Sequence, residues 1–570
     1  MVKITFNKEL PKKRIAVIDR DLCTKEKCGY ICMKVCPVNK VGKECITVDE
    51  EGYPVISEEL CIGCGICVSK CPVDAITIVN LSLDFDRVIH SYGPNSFRLY
   101  SLALPKEGEL VGFLGKNGIG KTTTIKILAK KLVPNFGKGI TTWEEALKEM
   151  TIEERAFFQK ERTLSLKPQY IESMRQPITV EEFLKMLKLE LPQFEHLKER
   201  KLSELSGGEL QKLALEVALA KEADLYYIDE PTNFLDIGER LRYALEIRER
   251  LEGKDVVVVD HDLAFIDYVV DYVYLFVGEE DTYGFASNIR PVRNGINEYL
   301  EGYLKTENFR FREFPIKFDH YSESETGGEI AFSYPSFTKT YPGFKLEAEG
   351  SEIREEEVIG IVGKNGIGKS TFLKVIAGVE PSDQGKLHSL KVSYKPQYIP
   401  LYKERAKEWG IPGWILEGLK IRQALLEKPF EKLSGGQMQK LAIARALSQE
   451  ADLYVLDEPT AYLDIENRVI LAKFLKDFAL RKKVPLMVID HDIVFIDKIA
   501  SRLIVFEGEP GKHGRASPAL DKEEGMNAFL KAVDITMRRD KDTKRPRINK
   551  KGSVLDREQR EKGKYYNING

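Results

Sequence analysis

The chain has 570 residues, enough for three or four domains that each bury a core of their own. A formal net charge of −2 at pH 7 excludes a globally basic nucleic-acid binder, so any contact with nucleic acid must come from local patches. The sequence has neither a run of 18 apolar residues nor the residue order of a secretory signal. We therefore expect a cytoplasmic protein that makes no contact with a membrane.

Nine cysteines between residues 23 and 71 are the first feature along the chain. In a reducing compartment, such crowding favours thiolate ligands over disulfides. The downstream run has the spacing C-x2-C-x2-C-x3-C-P, which is typical of bacterial ferredoxins that bind [4Fe-4S] clusters. The upstream run, C-x4-C-x3-C-x3-C-P, is looser, and taken alone it leaves zinc or free thiols open.

Together the two runs predict an α+β, two-cluster ferredoxin-like domain over residues 1–78. In such folds the fourth cysteine of each run binds the neighbouring cluster. This exchange predicts one [4Fe-4S] cluster on Cys23, Cys28, Cys32 and Cys71, and the other on Cys36, Cys61, Cys64 and Cys67. Cys45 is left over, and we interpret it as a buried small hydrophobe.

The rest of the chain contains one set of motifs twice, which predicts two α/β ATPase domains. In each half an apolar strand, 110–114 or 358–362, precedes a loop of sequence G-K-N-G-I-G-K-[TS]. Backbone N–H groups of such a loop, and the N-terminus of the helix that follows, bind phosphates. The predicted nucleotide-binding residues are Gly115, Asn117, Gly118, Gly120, Lys121, Thr122 and Thr123 in the first half, and Gly363, Asn365, Gly366, Gly368, Lys369, Ser370 and Thr371 in the second.

An aromatic platform for adenine is expected ahead of each loop. Tyr92 and Phe97 are the candidates in the first half, and Tyr341 and Phe344 in the second.

The next shared motif, Lys-Pro-Gln-Tyr-Ile, supplies Gln169 and Gln397 as sensors of magnesium and of the attacking water. It lies 169 − 121 = 48 residues after the lysine in the first half and 397 − 369 = 28 in the second, which predicts an insertion of 20 residues. Capping boxes at Thr142 and Thr151 predict that this insertion is a helix–loop–helix near 140–161. We leave open whether it is a simple decoration or a docking element for a large partner.

Three further motifs complete each half. The signature loops Leu-Ser-Gly-Gly contain Ser206 and Gly208, and Ser434 and Gly436, whose small residues permit close backbone approach and whose hydroxyls can donate to a γ-phosphate. Apolar strands then end in two carboxylates, of which the aspartate suits magnesium and the glutamate suits polarising water. Last, each half has a histidine just past a further apolar strand. The predicted catalytic residues are Glu230, Glu458, His261, His491, Gln169 and Gln397, and the predicted magnesium ligands are Thr122, Asp229 and Gln169, and Ser370, Asp457 and Gln397.

This order of motifs resembles the ATP-binding cassette (ABC) family from about residue 80 to 520. The resemblance implies that the two domains face head to tail, so that Lys121 shares an ATP with Ser434, and Lys369 shares one with Ser206. It also implies hydrolysis at both sites. One departure is Glu209, which stands where the second signature has Gln437 and makes equal rates at the two sites doubtful.

The stretch from Arg290 to Arg312 mixes chain breakers with positive charge, and the end of the chain is basic. From these we predict an ATPase domain over 79–293, a hinge over 294–318, a second ATPase domain over 319–522 and a C-terminal arm over 523–570. From Arg538 onward the arm has 12 Lys or Arg against 5 Asp or Glu, a balance of +7. We expect a solvated arm that, with the hinge, contacts RNA phosphates.

The whole arrangement resembles the RNase L inhibitor family, ABC subfamily E, and within it the archaeal members. The resemblance implies an ATPase that recycles ribosomes by splitting them after termination or stalling. It implies as partners the ribosome with its small subunit and rRNA, a class I release factor or Pelota-like protein, and initiation factors, and it implies a monomer. On this view ATP binding closes the cassettes, and closure moves the cluster domain. The clusters then have a structural role and not a redox role. Two alternatives remain: the ATPase subunit of a transporter, and an electron-transfer ATPase.

Overall fold

The computed structural model describes residues 14–80, 87–169, 171–318, 328–385, 387, 390–400 and 402–567. Residues 1–13 of the predicted cluster domain, and the predicted start of the second ATPase domain at 319, lie outside these ranges. Within them, the chain forms a small cysteine-bearing domain, two ATPase domains with matching sheets, and a C-terminal segment that contacts both ATPase domains.

The cysteine-bearing domain consists of short elements joined by the cysteine loops. β1 pairs antiparallel with β4, and β2 with β3. Because Arg14 of β1 is in register with Asn80 of β4, the domain continues to residue 80, and the boundary predicted after residue 78 falls inside a strand. The elements are β1 (Arg14–Ile18), α1 (Ile31–Val35), α2 (Pro37–Lys40), β2 (Ile46–Val48), β3 (Pro54–Ile56), α3 (Ile66–Lys70) and β4 (Ile76–Asn80).

The first ATPase domain is built on a sheet whose inner strands β8, β9, β10, β7 and β11 are parallel and adjacent in that order. Its elements are β5 (His90–Ser91), β6 (Arg98–Leu99), β7 (Leu110–Leu114), α4 (Lys121–Leu128), α5 (Trp143–Glu149), α6 (Ile152–Gln159), β8 (Leu164–Lys167), α7 (Val180–Leu187), α8 (Gly207–Ala220), β9 (Leu225–Asp229), α9 (Ile237–Arg250), β10 (Asp255–Val259), α10 (Leu263–Val269), β11 (Tyr272–Glu279), β12 (Tyr283–Ala286), β13 (Arg290–Pro291), α11 (Val292–Glu301), β14 (Tyr303–Leu304) and β15 (Phe309–Arg310).

The second ATPase domain repeats this strand order, with β21, β22, β23, β20 and β24 as its parallel strands. Its elements are β16 (Ile330–Tyr334), β17 (Phe337–Tyr341), β18 (Phe344–Ala348), β19 (Ser351–Arg354), β20 (Val358–Val362), α12 (Lys369–Ile376), β21 (Val392–Lys395), α13 (Gly413–Gly418), α14 (Gly435–Ser448), β22 (Leu453–Asp457), α15 (Ile465–Lys482), β23 (Leu486–Ile489), α16 (Ile493–Ile499), β24 (Arg502–Glu509), β25 (His513–Ala516), β26 (Leu520–Asp521) and α17 (Lys522–Ala532). The last elements of the chain are β27 (Met537–Arg539), β28 (Pro546–Ile548) and α18 (Val554–Glu561).

The central strands explain where the functional motifs lie. Strands β7, β9 and β10 are buried along their whole length, as are β20, β22 and β23, because helices cover both faces of a parallel sheet. The phosphate loops, the paired carboxylates and the histidines follow the carboxyl ends of these strands. In open parallel sheets ligands bind at that edge, so the fold gathers the motifs at one place.

The insertion in the first ATPase domain is the expected helix pair, α5 and α6. The Thr142 side chain accepts a hydrogen bond from the Glu145 backbone, and Thr151 and Glu154 form a complete capping box. Ala146, Met150 and Phe158 are buried in the core of this domain. The pair is therefore packed onto its own domain, and both alternatives, a simple decoration and a docking element, stay open.

The C-terminal segment, by which we mean residues 533–567, is folded, so the expectation of a solvated arm is wrong. Arg545 is fully buried and pairs with Asp267 of α10 at 3.2 Å, while Arg539 pairs with Asp497 of α16 at 2.8 Å. These aspartates lie at equivalent positions of the two ATPase domains, so the segment links the two domains. Six lysines of the segment remain exposed, namely Lys541, Lys544, Lys550, Lys551, Lys562 and Lys564.

The predicted hinge begins inside a helix. Ile296, Tyr299 and Leu300 of α11 are buried against the first ATPase domain, so the boundary predicted after residue 293 cuts this helix. The boundary predicted after 522 similarly falls in α17. Arg293 lies 3.3 Å from Asp540 of the C-terminal segment, which places the hinge and the arm side by side.

Candidate active site

The two phosphate loops have the same geometry. The Lys121 Nζ donates to the carbonyl oxygens of Gly115 at 2.7 Å and Lys116 at 2.5 Å, and the Lys369 Nζ donates to the equivalent carbonyls at 2.7 Å each. Burial lowers the pKa of both lysines to about 8. An ammonium group held this way inside the loop is suited to phosphate oxygens.

The glycine just before each lysine is required by backbone geometry. Gly120 has φ +99° and Gly368 has φ +96°, a region that side chains other than glycine rarely occupy. A Cβ at Gly120 would lie 2.8 Å from Leu99 Cδ1, and one at Gly368 would lie 2.8 Å from Phe344 Cζ. The loops therefore need glycine here both for conformation and for space.

The two ATPase domains face each other head to tail, as the resemblance implies. Asn117 of the first phosphate loop donates through its backbone N–H to Asp464 at 3.2 Å and through its side chain to the Tyr462 carbonyl at 3.2 Å. In the reciprocal contact, Asn365 donates to Asp236 at 2.9 Å and to the Phe234 carbonyl at 3.1 Å. Each phosphate loop is thus hydrogen-bonded to the segment that follows the predicted catalytic glutamate of the other domain.

One cavity at this interface brings together residues of both domains. From the first domain it is lined by phosphate-loop, glutamine and carboxylate residues, and from the second domain by the signature residues. Of the residues predicted from the sequence, the following line this cavity: Tyr92, Phe97, Asn117, Gly118, Gly120, Lys121, Thr122, Thr123, Gln169, Asp229, Glu230, Ser434 and Gly436. The structure therefore places Lys121 and Ser434 in one site.

The second site is assembled from the opposite pair of motifs. The Gly207 backbone N–H, next to Ser206, donates to the Tyr398 hydroxyl of the second domain at 3.1 Å. A Cβ built on Gly208 would meet the Asn365 amide at 3.9 Å. The signature of the first domain thus lies beside the phosphate loop that contains Lys369.

The two glutamates predicted to be catalytic directly follow β9 and β22. Glu230 and Glu458 both have φ +47°, which is unusual for a residue with a side chain and turns each carboxylate out of its strand. The Gln169 amide donates to Glu230 Oε1 at 2.7 Å, and the Gln397 amide donates to Glu458 Oε1 at 2.7 Å. Burial raises the pKa of Glu458 to about 7, and the nearby Asp457 adds to this shift.

The histidines lie beside the glutamates. The His261 Nε2 is 3.8 Å from Glu230 Oε1, and the His491 Nε2 is 3.5 Å from Glu458 Oε1. Burial, together with the charge of the phosphate-loop lysine, lowers the pKa of each histidine well below its ordinary value. Burial therefore favours the neutral form of each imidazole. The His261 Nε2 shares a hydrogen bond with Asn117 Oδ1 at 3.0 Å, whereas the His491 Nε2 is buried without a hydrogen-bond partner among the described residues.

The residues predicted to bind magnesium fit a divalent cation. Thr122, Gln169 and Asp229 line the same cavity, and the Ser370 hydroxyl lies 3.4 Å from Asp457 Oδ2. Burial first, and then the neighbouring Glu230, raises the pKa of Asp229 to about 7. Hydroxyl, amide and carboxylate oxygens are the donors that Mg²⁺ prefers, and a buried carboxylate pair favours a cation beside it.

The aromatic candidates surround the entrance of each phosphate loop. The Tyr92 hydroxyl lies 3.1 Å from Thr123 Oγ1, and the Tyr92 and Phe97 rings are 6.4 Å apart. Tyr341, the second-domain candidate, donates to Glu380. Exposed Tyr92 leaves a ring face available for a base.

The departure at Glu209 changes the environment of one signature serine. The Ser206 hydroxyl donates to Glu209 Oε2 at 2.7 Å, and Arg200 binds the other carboxylate oxygen at 3.0 Å. Although burial alone would raise it, the hydrogen bonds from Ser206 and the charge of Arg200 lower the pKa of Glu209. At the other signature, Gln437 offers Ser434 an amide in place of this charge.

Sequence reasoning missed the segment that follows each catalytic glutamate. It contains Phe234 and Asp236 in the first domain, and Tyr462 and Asp464 in the second, all at the interface. The signal was present, because Pro-Thr-x-aromatic-Leu-Asp follows both glutamates. Also missed was Tyr394, whose hydroxyl donates to Asp457 Oδ2 at 3.1 Å; the first domain has Leu166 at that position, so no repeat marked it.

The cysteine-bearing domain groups its thiols in two sets. Cys23, Cys28, Cys32 and Cys71 line one cavity. Burial, and then Cys61, Cys64 and Cys36, raises the pKa of the Cys67 thiol to about 11, so these four lie near one another. Cys45 is buried beside Cys36 and Cys61.

These thiol sets fit iron–sulfur clusters better than single ions. Among the described residues, no three or more His, Cys, Asp or Glu side chains are placed closely enough to hold one metal ion. Four thiols spaced around a cavity match the all-cysteine ligand set of a [4Fe-4S] cluster. In the part of the chain that the structure describes, no helix is long and apolar enough to cross a membrane.

Two composite sites, each made from a phosphate loop of one domain and a signature loop of the other, define the class of ABC-type ATPases. Family models agree: "ABC transporter" matches residues 100–233 and 350–461, "4Fe-4S binding domain" matches 54–77, and "Possible Fer4-like domain in RNase L inhibitor, RLI" matches 14–44. The chain is therefore an ATPase with a [4Fe-4S]-binding region.

Similarity to known proteins extends over nearly the full chain. An uncharacterized ABC transporter ATP-binding protein of Methanocaldococcus jannaschii is 43% identical over 97% of this chain and 98% of the relative, and translation initiation factor RLI1 of Saccharomyces cerevisiae is 38% identical over 97% and 98%. The solved structure described as "Model of ribosome-bound archaeal Pelota and ABCE1" has a TM-score of 0.91 at 44% identity, and covers 97% of this chain and 99% of its own. The chain belongs to the RNase L inhibitor family of ABC ATPases. The comparisons favour neither the transporter nor the electron-transfer alternative.

Proposed function

We propose that this chain is a cytoplasmic, ATP-driven ribosome recycling factor that splits ribosomes into subunits after termination or stalling. The similar archaeal protein was solved bound to the ribosome together with Pelota, and the yeast relative is named as a translation initiation factor. We infer that this chain acts as a monomer with the ribosome, chiefly its small subunit and rRNA. Its other partners are a class I release factor or Pelota-like protein, and initiation factors.

The observation that carries the proposal is the unequal attachment of the cluster domain. Asn95 of the first ATPase domain bonds to two strands of the cluster domain. Its side-chain oxygen accepts from the Ile56 N–H at 2.8 Å, and its amide nitrogen donates to the carbonyls of Ile56 and Ala16 at 3.0 Å each. On the second domain, the contacts include the ion pairs Lys428–Asp19 at 2.9 Å and Lys432–Asp21 at 2.8 Å. Closure of the ATPase domains therefore moves the second domain against a cluster domain that is held by the first.

We assign the chemical roles as follows. Lys121 with Ser434, and Lys369 with Ser206, bind the γ-phosphates of two ATP molecules and so hold the domains closed. Glu230 and Glu458 accept a proton from the attacking water, and Gln169 and Gln397 orient them. Loss of the γ-phosphate removes the bond between the domains, and the pair reopens.

Two [4Fe-4S] clusters complete the proposal. Cys23, Cys28, Cys32 and Cys71 would hold one, and Cys36, Cys61, Cys64 and Cys67 the other. When bound, iron–thiolate bonds cross-link short segments that have too little apolar core to be rigid alone. We infer a structural role for them, since the movement needs a rigid domain to act on the ribosome.

We assign contact with rRNA to the exposed lysines of the C-terminal segment and not to those of its arginines that pair with aspartates. Arg539, Arg545 and Arg547 are occupied by internal aspartates. Lysines that stay exposed carry charge that phosphates can neutralise.

Sedimentation with ribosomal subunits tests the proposed function. The full-length protein should co-sediment with the small subunit in the presence of a non-hydrolysable ATP analogue and stay unbound with ADP. The variant Glu230→Gln with Glu458→Gln should remain on the small subunit in ATP, because hydrolysis cannot reopen it. Glu249→Gln, an exposed glutamate on α9, is the matched control and should cycle normally. Equal sedimentation in both nucleotides, or normal cycling of the double variant, would refute the proposal.

A further inference from the structure

The segments that follow the two catalytic glutamates differ at one position beside the carboxylate. The first reads Glu230-Pro-Thr-Asn233, and the second reads Glu458-Pro-Thr-Ala461. The Asn233 side-chain amide donates to Glu230 Oε2 at 2.6 Å. Because a carboxylate only accepts here, the amide must present its nitrogen, and its orientation is fixed by the chemistry of the pair.

The two glutamates therefore have different numbers of amide donors. Glu230 receives Gln169 on Oε1 at 2.7 Å and Asn233 on Oε2 at 2.6 Å. Glu458 receives Gln397 on Oε1 at 2.7 Å, and Ala461 has nothing to donate. Within the described residues, no side chain donates to Glu458 Oε2.

A donor on each oxygen restricts how the carboxylate turns. The last torsion of a glutamate is broad and has no sharp staggered preference, so one hydrogen bond leaves it loosely defined. Two bonds from opposite sides select one orientation. The backbone does not distinguish the sites, since both glutamates have φ +47°.

We propose that Asn233 is a positioning residue that fixes the Glu230 carboxylate for attack by water, and that the site of Lys121 and Ser434 thereby gains turnover that the site of Lys369 and Ser206 lacks. Asn233 touches neither nucleotide nor water in this role, and it acts only through Glu230. Fixed placement of a base raises the rate of the chemical step more than it raises substrate binding.

The second site has an extra donor of a different kind. The Tyr394 hydroxyl lies 3.1 Å from Asp457 Oδ2, the predicted magnesium ligand, where the first domain has Leu166. Thus the first site has its additional hydrogen bond on the base, and the second has it on the metal-binding carboxylate. The asymmetry of the pair is built into side chains that the repeat does not share.

The test measures ATP hydrolysis by one site at a time, without ribosomes, so its result is independent of the recycling proposal. In a Glu458→Gln background, only the first site turns over. Adding Asn233→Ala should lower kcat on the order of tenfold while KM for ATP changes less than about twofold. The isosteric Asn233→Asp, which replaces the donor with a like charge, should lower kcat at least as much.

The reciprocal variant separates positioning from a structural role. In a Glu230→Gln background, Ala461→Asn should raise kcat of the second site several-fold. Protection from protease in the presence of ATP measures closure, and it checks that each variant folds and closes. The proposal would be overturned if Asn233→Ala left kcat unchanged, or if it raised KM by as large a factor as it lowered kcat. It would also be overturned if Ala461→Asn closed normally and gave no gain in kcat.

Discussion

The two ATPase domains share one strand order and the same phosphate-loop and glutamine contacts, and they differ most in what is attached to them. The first holds the cluster domain through the buried Asn95 and contains the helix pair α5–α6. The second meets the cluster domain through ion pairs in which Lys432 is half exposed. Duplication has thus preserved the chemistry, while the attachments assign one domain to hold the moving part and the other to push against it.

The largest effect is expected where the cluster domain is fixed. Asn95 has φ +49°, so Asn95→Gly removes the side chain without straining the backbone. Three hydrogen bonds to buried backbone groups would be lost, at about 1 kcal/mol each. Hydrogen exchange of the β1 and β3 amides should therefore become roughly 100-fold faster.

The control for this variant is Asn308→Gly, at an exposed residue with φ +48°. It should leave exchange in β1 and β3 unchanged. Unchanged protection in Asn95→Gly itself would show that the Asn95 side chain does not hold the cluster domain on the first ATPase domain.

A smaller, pH-dependent effect is expected in the segment that links the domains. Burial alone would raise the pKa of Asp540, but backbone hydrogen bonds from Thr543 and Asp542, with the charges of Arg293 and Arg545, lower it to about 2. A depressed carboxyl pKa stabilises the fold above the unfolded value of 3.8, and this stability is lost as pH falls through about 2. Asp540→Asn should cost about 2 kcal/mol near neutral pH.

Hydrogen exchange of the β27 and β28 amides measures this contribution. The difference between the native chain and Asp540→Asn should be constant above about pH 5 and should shrink between about pH 4 and pH 2. A difference that persists at the acid end would mean that Asp540 acts through shape and not through charge.

The smallest effect is expected where the second domain meets the cluster domain. Ion pairs at partly exposed sites contribute up to about 1 kcal/mol, so a double-mutant cycle of Asp19→Asn and Lys428→Met should give a coupling below that value. The readout is the closure equilibrium with a non-hydrolysable ATP analogue. Coupling of several kcal/mol would show that this contact, and not nucleotide, holds the closed form.

Much of the site was predictable because its motifs occur in both halves of the sequence. The two phosphate loops, the glutamines and the carboxylates recur in the same order, and the excess of 20 residues before Gln169 located the helix pair. Capping boxes at Thr142 and Thr151 then gave the helix starts within a residue or two.

What the sequence did not reveal depends on contacts between distant residues. The arginines of the C-terminal segment look solvated until Asp267, nearly 280 residues away, is placed beside Arg545 and Arg547. Asn233 likewise gains meaning only when its amide is seen on Glu230. A repeat reveals what two domains share, and it conceals single differences such as Asn233 against Ala461.

The central claim is that each nucleotide is bound by both domains at once. A crystal structure with a non-hydrolysable ATP analogue tests it most directly. We expect that the γ-phosphate on the Lys121 loop is also hydrogen-bonded to Ser434, and that the γ-phosphate on the Lys369 loop is also hydrogen-bonded to Ser206. Two fully occupied nucleotide sites, in each of which the nucleotide contacts one domain alone, would contradict this claim.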